Sequence, residues 1–203
     1  AIYLDANGVT IKASANAVIG ESYELDGVSY KVADLATLKA MISDNEDVTK
    51  VVTSFITQMN YLISYKLFNQ DIGSWDVSNV TTMQGMFWDV AIFNHDIGNW
   101  DVSNVTNMQT LFGQAAAFNQ DISSWDVSKV TTMENMFWSS GKFDQDLSSW
   151  NVANVTNMKQ MFFNASLFNQ DISSWDVSKV ITMESMFFNA FLFNQDISSW
   201  DVS

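Results

Sequence analysis

Apolar residues return along this chain at a period far longer than that of any strand or helix. Trp75, Trp100, Trp125, Trp150, Trp175 and Trp200 stand 25 residues apart, as do Asp71, Asp96, Asp121, Asp146, Asp171 and Asp196. Self-similarity at a period of about 20–50 residues marks stacked units that bury a core only against one another. Propeller blades need about 40 residues or more, so this unit predicts one turn of a solenoid. Five full units run from Phe68 to Leu192, and Phe193 to Ser203 begin another. Upstream, Ile56-Thr57-Gln58-Met59 and Leu62-Ile63 match the second half of a unit with one residue lost.

The spacing inside a unit predicts how the chain runs. Ile97-x-x-Trp100-x-Val102 has the spacing of a leucine-rich-repeat strand. Alternation would turn Trp100 and Val102 inward and Asp101 outward. From Val105 through Met108, Leu111 and Phe112 the steps become three, three and one, a helical or 3₁₀ period. The predicted fold is a right-handed α/β solenoid of leucine-rich-repeat type, with short parallel strands and short helical segments.

Residues 1–50 lack the repeat. Asn7-Gly8 lies between Ile2-Tyr3-Leu4 and Val9-Thr10-Ile11, and Asp26-Gly27 lies between Ser22–Leu25 and Val28–Val32. Asn-Gly and Asp-Gly between β-prone runs predict hairpins. Asp34 is placed to cap a helix through Leu35, Leu38 and Met41, ended by Asp44-Asn45. The predicted organisation is a small α+β N-terminal cap over 1–50 and a solenoid over 51–203. The letters stop halfway through a unit, which predicts a longer array or association through the last turn.

Charge narrows the partners. The chain has 9 basic residues, all Lys, against 23 acidic ones, for a net charge of −14. Nucleic acid and anionic membrane surfaces are repelled, and bidentate Arg contacts are absent. No apolar run reaches the length of about 18 residues that spans a bilayer. With no Cys, thiolate catalysis and thiolate metal sites are excluded. Acids that recur in every unit do not make a unique catalytic pair, so an enzyme is not expected.

Phe-Asn-Gln-Asp-Ile-Ser-Ser-Trp-Asp-Val-Ser followed by Val-Thr-x-Met-x-x-Met-Phe resembles the repeat of the BspA-like leucine-rich-repeat surface proteins of bacteria, over about residues 51–203. The resemblance implies a secreted or surface-anchored, non-catalytic protein of adhesion, with no catalytic residues to carry over. Its expected partners are a glycan, a matrix or surface protein, or a second copy of the chain. A self-assembling structural element is the alternative.

Two sets of positions are candidates for recognition. Asp76, Asp101, Asp126, Asn151, Asp176 and Asp201 form an acidic row that could take Ca²⁺ between adjacent turns. The same carboxylates could equally remain solvated or bond Ser hydroxyls and backbone N–H groups. No Ca²⁺ loop motif accompanies them, and no other cofactor is implied. Trp88, Trp138, Phe163 and Phe188 share one position after the Met-Phe pair, where the second unit has Gly113. Gly beside Trp at one position predicts partial exposure, and the rings either form a partner-binding strip or pack under the loop that follows. The Trp75 series is expected in the core, and His95, which replaces a Gln, at the surface.

Overall fold

A computed structural model describes residues 1–202. Two hairpins open the chain. β1 (Ile2–Leu4) pairs antiparallel with β2 (Ile11–Ala13). β2 starts later than the residue pattern predicts, because the Asn7 side chain accepts the N–H groups of both Val9 and Thr10 at 3.0 and 2.9 Å. Those two amides are thereby held in the loop. The second hairpin joins β3 (Ser22–Leu25) to β4 (Val28–Val32), with Leu25 opposite Val28. Asp26 and Gly27 take φ of 50° and 76°, the left-handed pair that a two-residue turn needs.

Helix α1 (Leu35–Ser43) follows at once. Asp34 caps it by accepting the Thr37 N–H at 2.8 Å. Leu38, Met41 and Ile42 on one face are buried against the first repeats. β5 (Val51–Val52) then adds parallel to β4, completing a three-stranded sheet in the order β3-β4-β5.

The repeats are built from neither strands nor helices. The α/β coil of leucine-rich-repeat type predicted from their spacing does not form. Among the described residues the only helix is α1, and the only sheets are the two formed by β1–β5. Each unit contributes a single parallel bridge, in the series Gln58, Thr82, Asn107, Thr132, Asn157 and Thr182.

The physical reasons lie in the turns. Asp96 accepts the Gly98 N–H at 2.8 Å, and the Trp100 N–H bonds the Ile97 carbonyl at 3.1 Å. Asp101 accepts the Ser103 N–H at 3.1 Å, and the Val105 N–H bonds the Val102 carbonyl at 2.8 Å. The residues predicted as a strand are therefore two successive turns made by Asp side chains, which compete with strand pairing for the backbone amides. The predicted helical half fails for a second reason. Residues at two places per unit, such as Thr110 and Gln114, have φ of 56° and 57°. Alternate N–H groups there bond the next unit and not the preceding helical turn: Met83 to Asn107, Gly85 to Gln109, Phe87 to Leu111 and Asp89 to Gly113, at 2.8–3.0 Å. The apolar spacing of three comes from consecutive β-turns.

Stacking at this register lines up identical side chains. Phe87, Phe112, Phe137, Phe162 and Phe187 form one column with ring centroids 5.3, 5.7, 5.5 and 5.8 Å apart. The Trp75 to Trp175 column is buried, at most 3% exposed. Each indole N–H donates to a main-chain carbonyl in the preceding unit, as Trp125 does to Ile97 at 3.1 Å. The same bond runs from Trp75 to Val48 at 3.0 Å. Asp47 also accepts the Thr49 N–H at 2.9 Å, as Asp71 accepts that of Gly73 at 3.0 Å. The stack thus has its first turn at Asp47-Val48-Thr49, where the letters do not repeat.

Candidate functional site

Most outward polar side chains hold one unit to the next. Gln145, Gln170 and Gln195 each donate to the main-chain carbonyl of residue 119, 144 or 169 at 3.0–3.2 Å. His95, at the same position, contacts the Asn69 carbonyl through Nε2 at 2.8 Å. It does the work of the Gln it replaces. Ser124, Ser149, Ser174 and Ser199 donate to carbonyls 26 residues back at 2.8–3.0 Å. Lys129 and Lys179 reach Asn104 and Asn154 one unit earlier at 2.7 and 2.9 Å.

The acidic row makes the second turn of each unit. Asp76, Asp101, Asp126, Asn151 and Asp176 each accept the N–H two residues on, at 3.0–3.2 Å. Asp101, Asp126, Asn151, Asp176 and Asp201 are exposed, whereas Asp76 is buried under the N-terminal segment. Its second oxygen accepts the Ser54 hydroxyl. The Ser128 hydroxyl and N–H hold Asp126 below the ordinary carboxylate value of 3.8, and Ser178 does the same for Asp176. Among the described residues no three His, Cys, Asp or Glu side chains converge to hold a metal ion.

The aromatic position is arranged differently. Trp88, Trp138 and Phe163 are half-buried and Phe188 is 54% exposed. They form two separate stacks. In the first, Tyr61 and Tyr65 lie 6.0 and 4.7 Å from Trp88. In the second, Trp138 lies 6.5 Å from Phe163, which lies 4.9 Å from Phe188. Gly113 falls between them. Trp88 leans onto it, with Cδ1 3.5 Å from where a Cβ would stand.

A groove of about 420 Å³ runs along this break. Trp88, Trp138 and Phe163 line one side, and Tyr61, Thr110, Asn135 and Gln160 the other. The second wall is a set that the sequence pattern did not single out. Its members stand at one position of successive units and differ in each, and all have positive φ. A second pocket of the same size, lined by Met183, Met186, Phe187, Ile197, Trp200 and Val202, lies on the last described turn. It is the packing face that the following unit covers elsewhere in the stack.

No helix among the described residues is long and apolar enough to cross a membrane. No curated protein and no solved structure matches the chain. One family model does, over residues 33–140 and again over 118–203. Both matches contain the Trp-Asp-Val-Ser turns and Met-Phe columns described above, and together they take in the first stacked turn at Asp47. The chain belongs to the bacterial repeat family described as Mycoplasma protein of unknown function, DUF285.

Proposed function

We propose that this chain is a non-catalytic binding module, displayed on a bacterial surface or secreted, and related through its repeat wording to the BspA-like surface proteins. One observation carries the reading. The positions that tie unit to unit keep nearly the same residue throughout, whereas the position of Thr110, Asn135 and Gln160 changes at every unit and the aromatic position changes among Trp, Gly and Phe. Side chains that stack units need only repeat. Side chains that vary on a shared face present a particular pattern to something outside the molecule. Half-buried Trp and Phe rings at those positions are the residue types that dominate recognition energies.

The acidic row is a weaker carrier of this reading, because each exposed Asp holds a turn of the stack through one oxygen. The net charge of −14 still acts at long range, favouring neutral or basic partners over polyanions. The test is an array of glycans and matrix proteins probed with the isolated chain at two salt concentrations. Retention of at least one component, lost when Trp138 and Phe163 are both replaced by Ala, supports the module. A chain that retains nothing overturns it, and a chain that retains its ligand with both rings gone overturns the groove as its site.

A further inference from the structure

The break in the aromatic strip at Gly113 is a place where a ring is missing from an otherwise regular column. Trp88 ends one stack and Trp138 begins the next, two units apart. The groove between them has one side of aromatic rings and, facing the break, the hydroxyl and amide side chains of Thr110, Asn135 and Gln160, with Tyr61 also in its lining. None of its lining residues is charged, in a chain of net charge −14.

Two polar atoms in these walls are unsatisfied. The Trp88 indole N–H and the Asn135 side-chain oxygen are buried without a hydrogen-bond partner. They are the only two such side-chain atoms among the described residues, and both belong to groove residues. All six tryptophans of the core column, by contrast, donate their N–H to a carbonyl. An unpaired buried donor or acceptor is costly, on the order of 1–3 kcal/mol. Neither group has a hydrogen bond to lose, so a guest that pairs with either satisfies a group the protein leaves unpaired.

A guest matched to this groove has flat apolar faces for the rings and hydroxyls that both donate and accept. It carries no charge. A pyranose ring has all three properties, since its axial C–H bonds pack on aromatic faces while its edge is ringed with hydroxyls. An anionic chain would meet an acidic molecule with no cation in the groove, and a purely apolar side chain would leave the unpaired atoms unpaired. We infer that the groove at Gly113 is a subsite for a neutral polysaccharide, with a sugar ring held between the aromatic wall and the Thr110–Asn135–Gln160 wall. This inference rests on the binding-module reading and names its ligand class.

The experiment is calorimetric titration of the full chain with neutral hexasaccharides of β-1,4-linked glucose, mannose, xylose and N-acetylglucosamine. At least one is expected to bind. Trp138→Ala should weaken that binding about tenfold, the order of one lost aromatic contact. Trp138→Phe, which keeps a ring, should lose less. Gly113→Trp fills the break and should also abolish binding, which keeps the test valid if Trp138→Ala fails to fold. Phe188→Ala, outside the groove, should leave the affinity unchanged. Failure of all four sugars to bind overturns the inference. If the array still retains a protein, the binding module stands and only its ligand class falls. Sugar binding that survives both Trp138→Ala and Gly113→Trp overturns the site while leaving the module intact.

Discussion

Residues 1–43 and the stacked repeats bury their apolar side chains by opposite routes. The first segment uses ordinary elements: two hairpins and a capped helix satisfy backbone groups locally, and one face of each is then buried. The stack has almost no regular structure, yet as far as Val177 its Met, Phe, Val and Trp columns are more completely buried than any side chain of β1 or β3. Its backbone groups are satisfied partly in turns within each unit and partly between units, at a register of about 25 residues. A core therefore needs paired backbone groups and matched side chains, but not strands or helices. In the stack every inward residue depends on the units above and below, so damage spreads to neighbours.

That contrast gives the largest expected effect. Trp125→Ala removes a buried indole stacked on Trp100 at 6.4 Å and takes from the Ile97 carbonyl one of its two donors. A loss of about 3–5 kcal/mol is expected from denaturant unfolding. Tyr23→Ala in β3, a half-buried ring outside the stack, should cost clearly less. Equal losses at the two sites would erase the distinction between local and stacked burial.

Acid should strike the stack next, because it acts on several of its turns at once. Asp121, Asp126, Asp171, Asp176 and Asp196 are all held below 3.8, by the hydroxyl and N–H of the Ser two residues on. A carboxylate depressed in the folded state stabilises it above the unfolded value. That stability is lost as pH falls through the folded value. The melting temperature should therefore fall steeply below pH 3.8. Asn151 shows the way to test the cause, since it makes the same turn with an amide that does not titrate, at 3.2 Å. Asp126→Asn with Asp176→Asn should make the acid transition shallower. An unchanged acid profile would place its origin outside these turns.

A single turn is worth less. Asp126→Ala should cost about 1 kcal/mol, the usual effect of losing one side-chain bond to an exposed backbone N–H, while Asp126→Asn should cost a few tenths. Chemical denaturation of both variants decides it. Equal losses would show that the charge, and not the accepted N–H, stabilises the turn.

These turns also explain what could be read from the letters. The Asp26-Gly27 hairpin and the Asp34 cap were legible because each depends on residues a few places apart. The 25-residue period was legible because it is a property of the letters themselves. The route of the chain within a unit was not. Ile-x-x-Trp-x-Val describes equally a strand with alternating faces and two turns that bring the same side chains inward. Only the fate of the Asp oxygens separates the two. The first stacked turn was hidden because Val51 stands 24 residues before Trp75, so no Trp marks it. On the recognition face, the aromatic position stood out as Gly113 beside Trp88 and Trp138. The opposite wall did not, since Thr110, Asn135 and Gln160 share neither size nor charge and meet only through the stacking register.

The smallest expected effect tests that register from the backbone side. Gly85, Thr110, Asn135, Gln160 and Ser185 all occupy left-handed conformations, with φ between 52° and 59°. Gly adopts this geometry freely and Asn tolerates it, whereas a β-branched residue is strained there. Thr110 is the one β-branched member, and its Cγ2 crowds the space beside Gly113. The stack holds it because the Thr110 N–H donates to the Glu134 carbonyl at 2.8 Å and its carbonyl accepts the Gly113 N–H at 3.1 Å. Thr110→Asn keeps both main-chain bonds and relieves the crowding. It should stabilise the chain by about 0.5–1 kcal/mol, the scale of a relieved left-handed residue. Ala in place of Asn135 should destabilise by a similar amount. The N-terminal segment offers the control: Asp26, at φ 50° in the hairpin, should respond to Asp26→Asn by less, since Asp already tolerates that region. A stack indifferent to Thr110→Asn would mean that its turns are set by the columns of rings alone, with the backbone following wherever they lead.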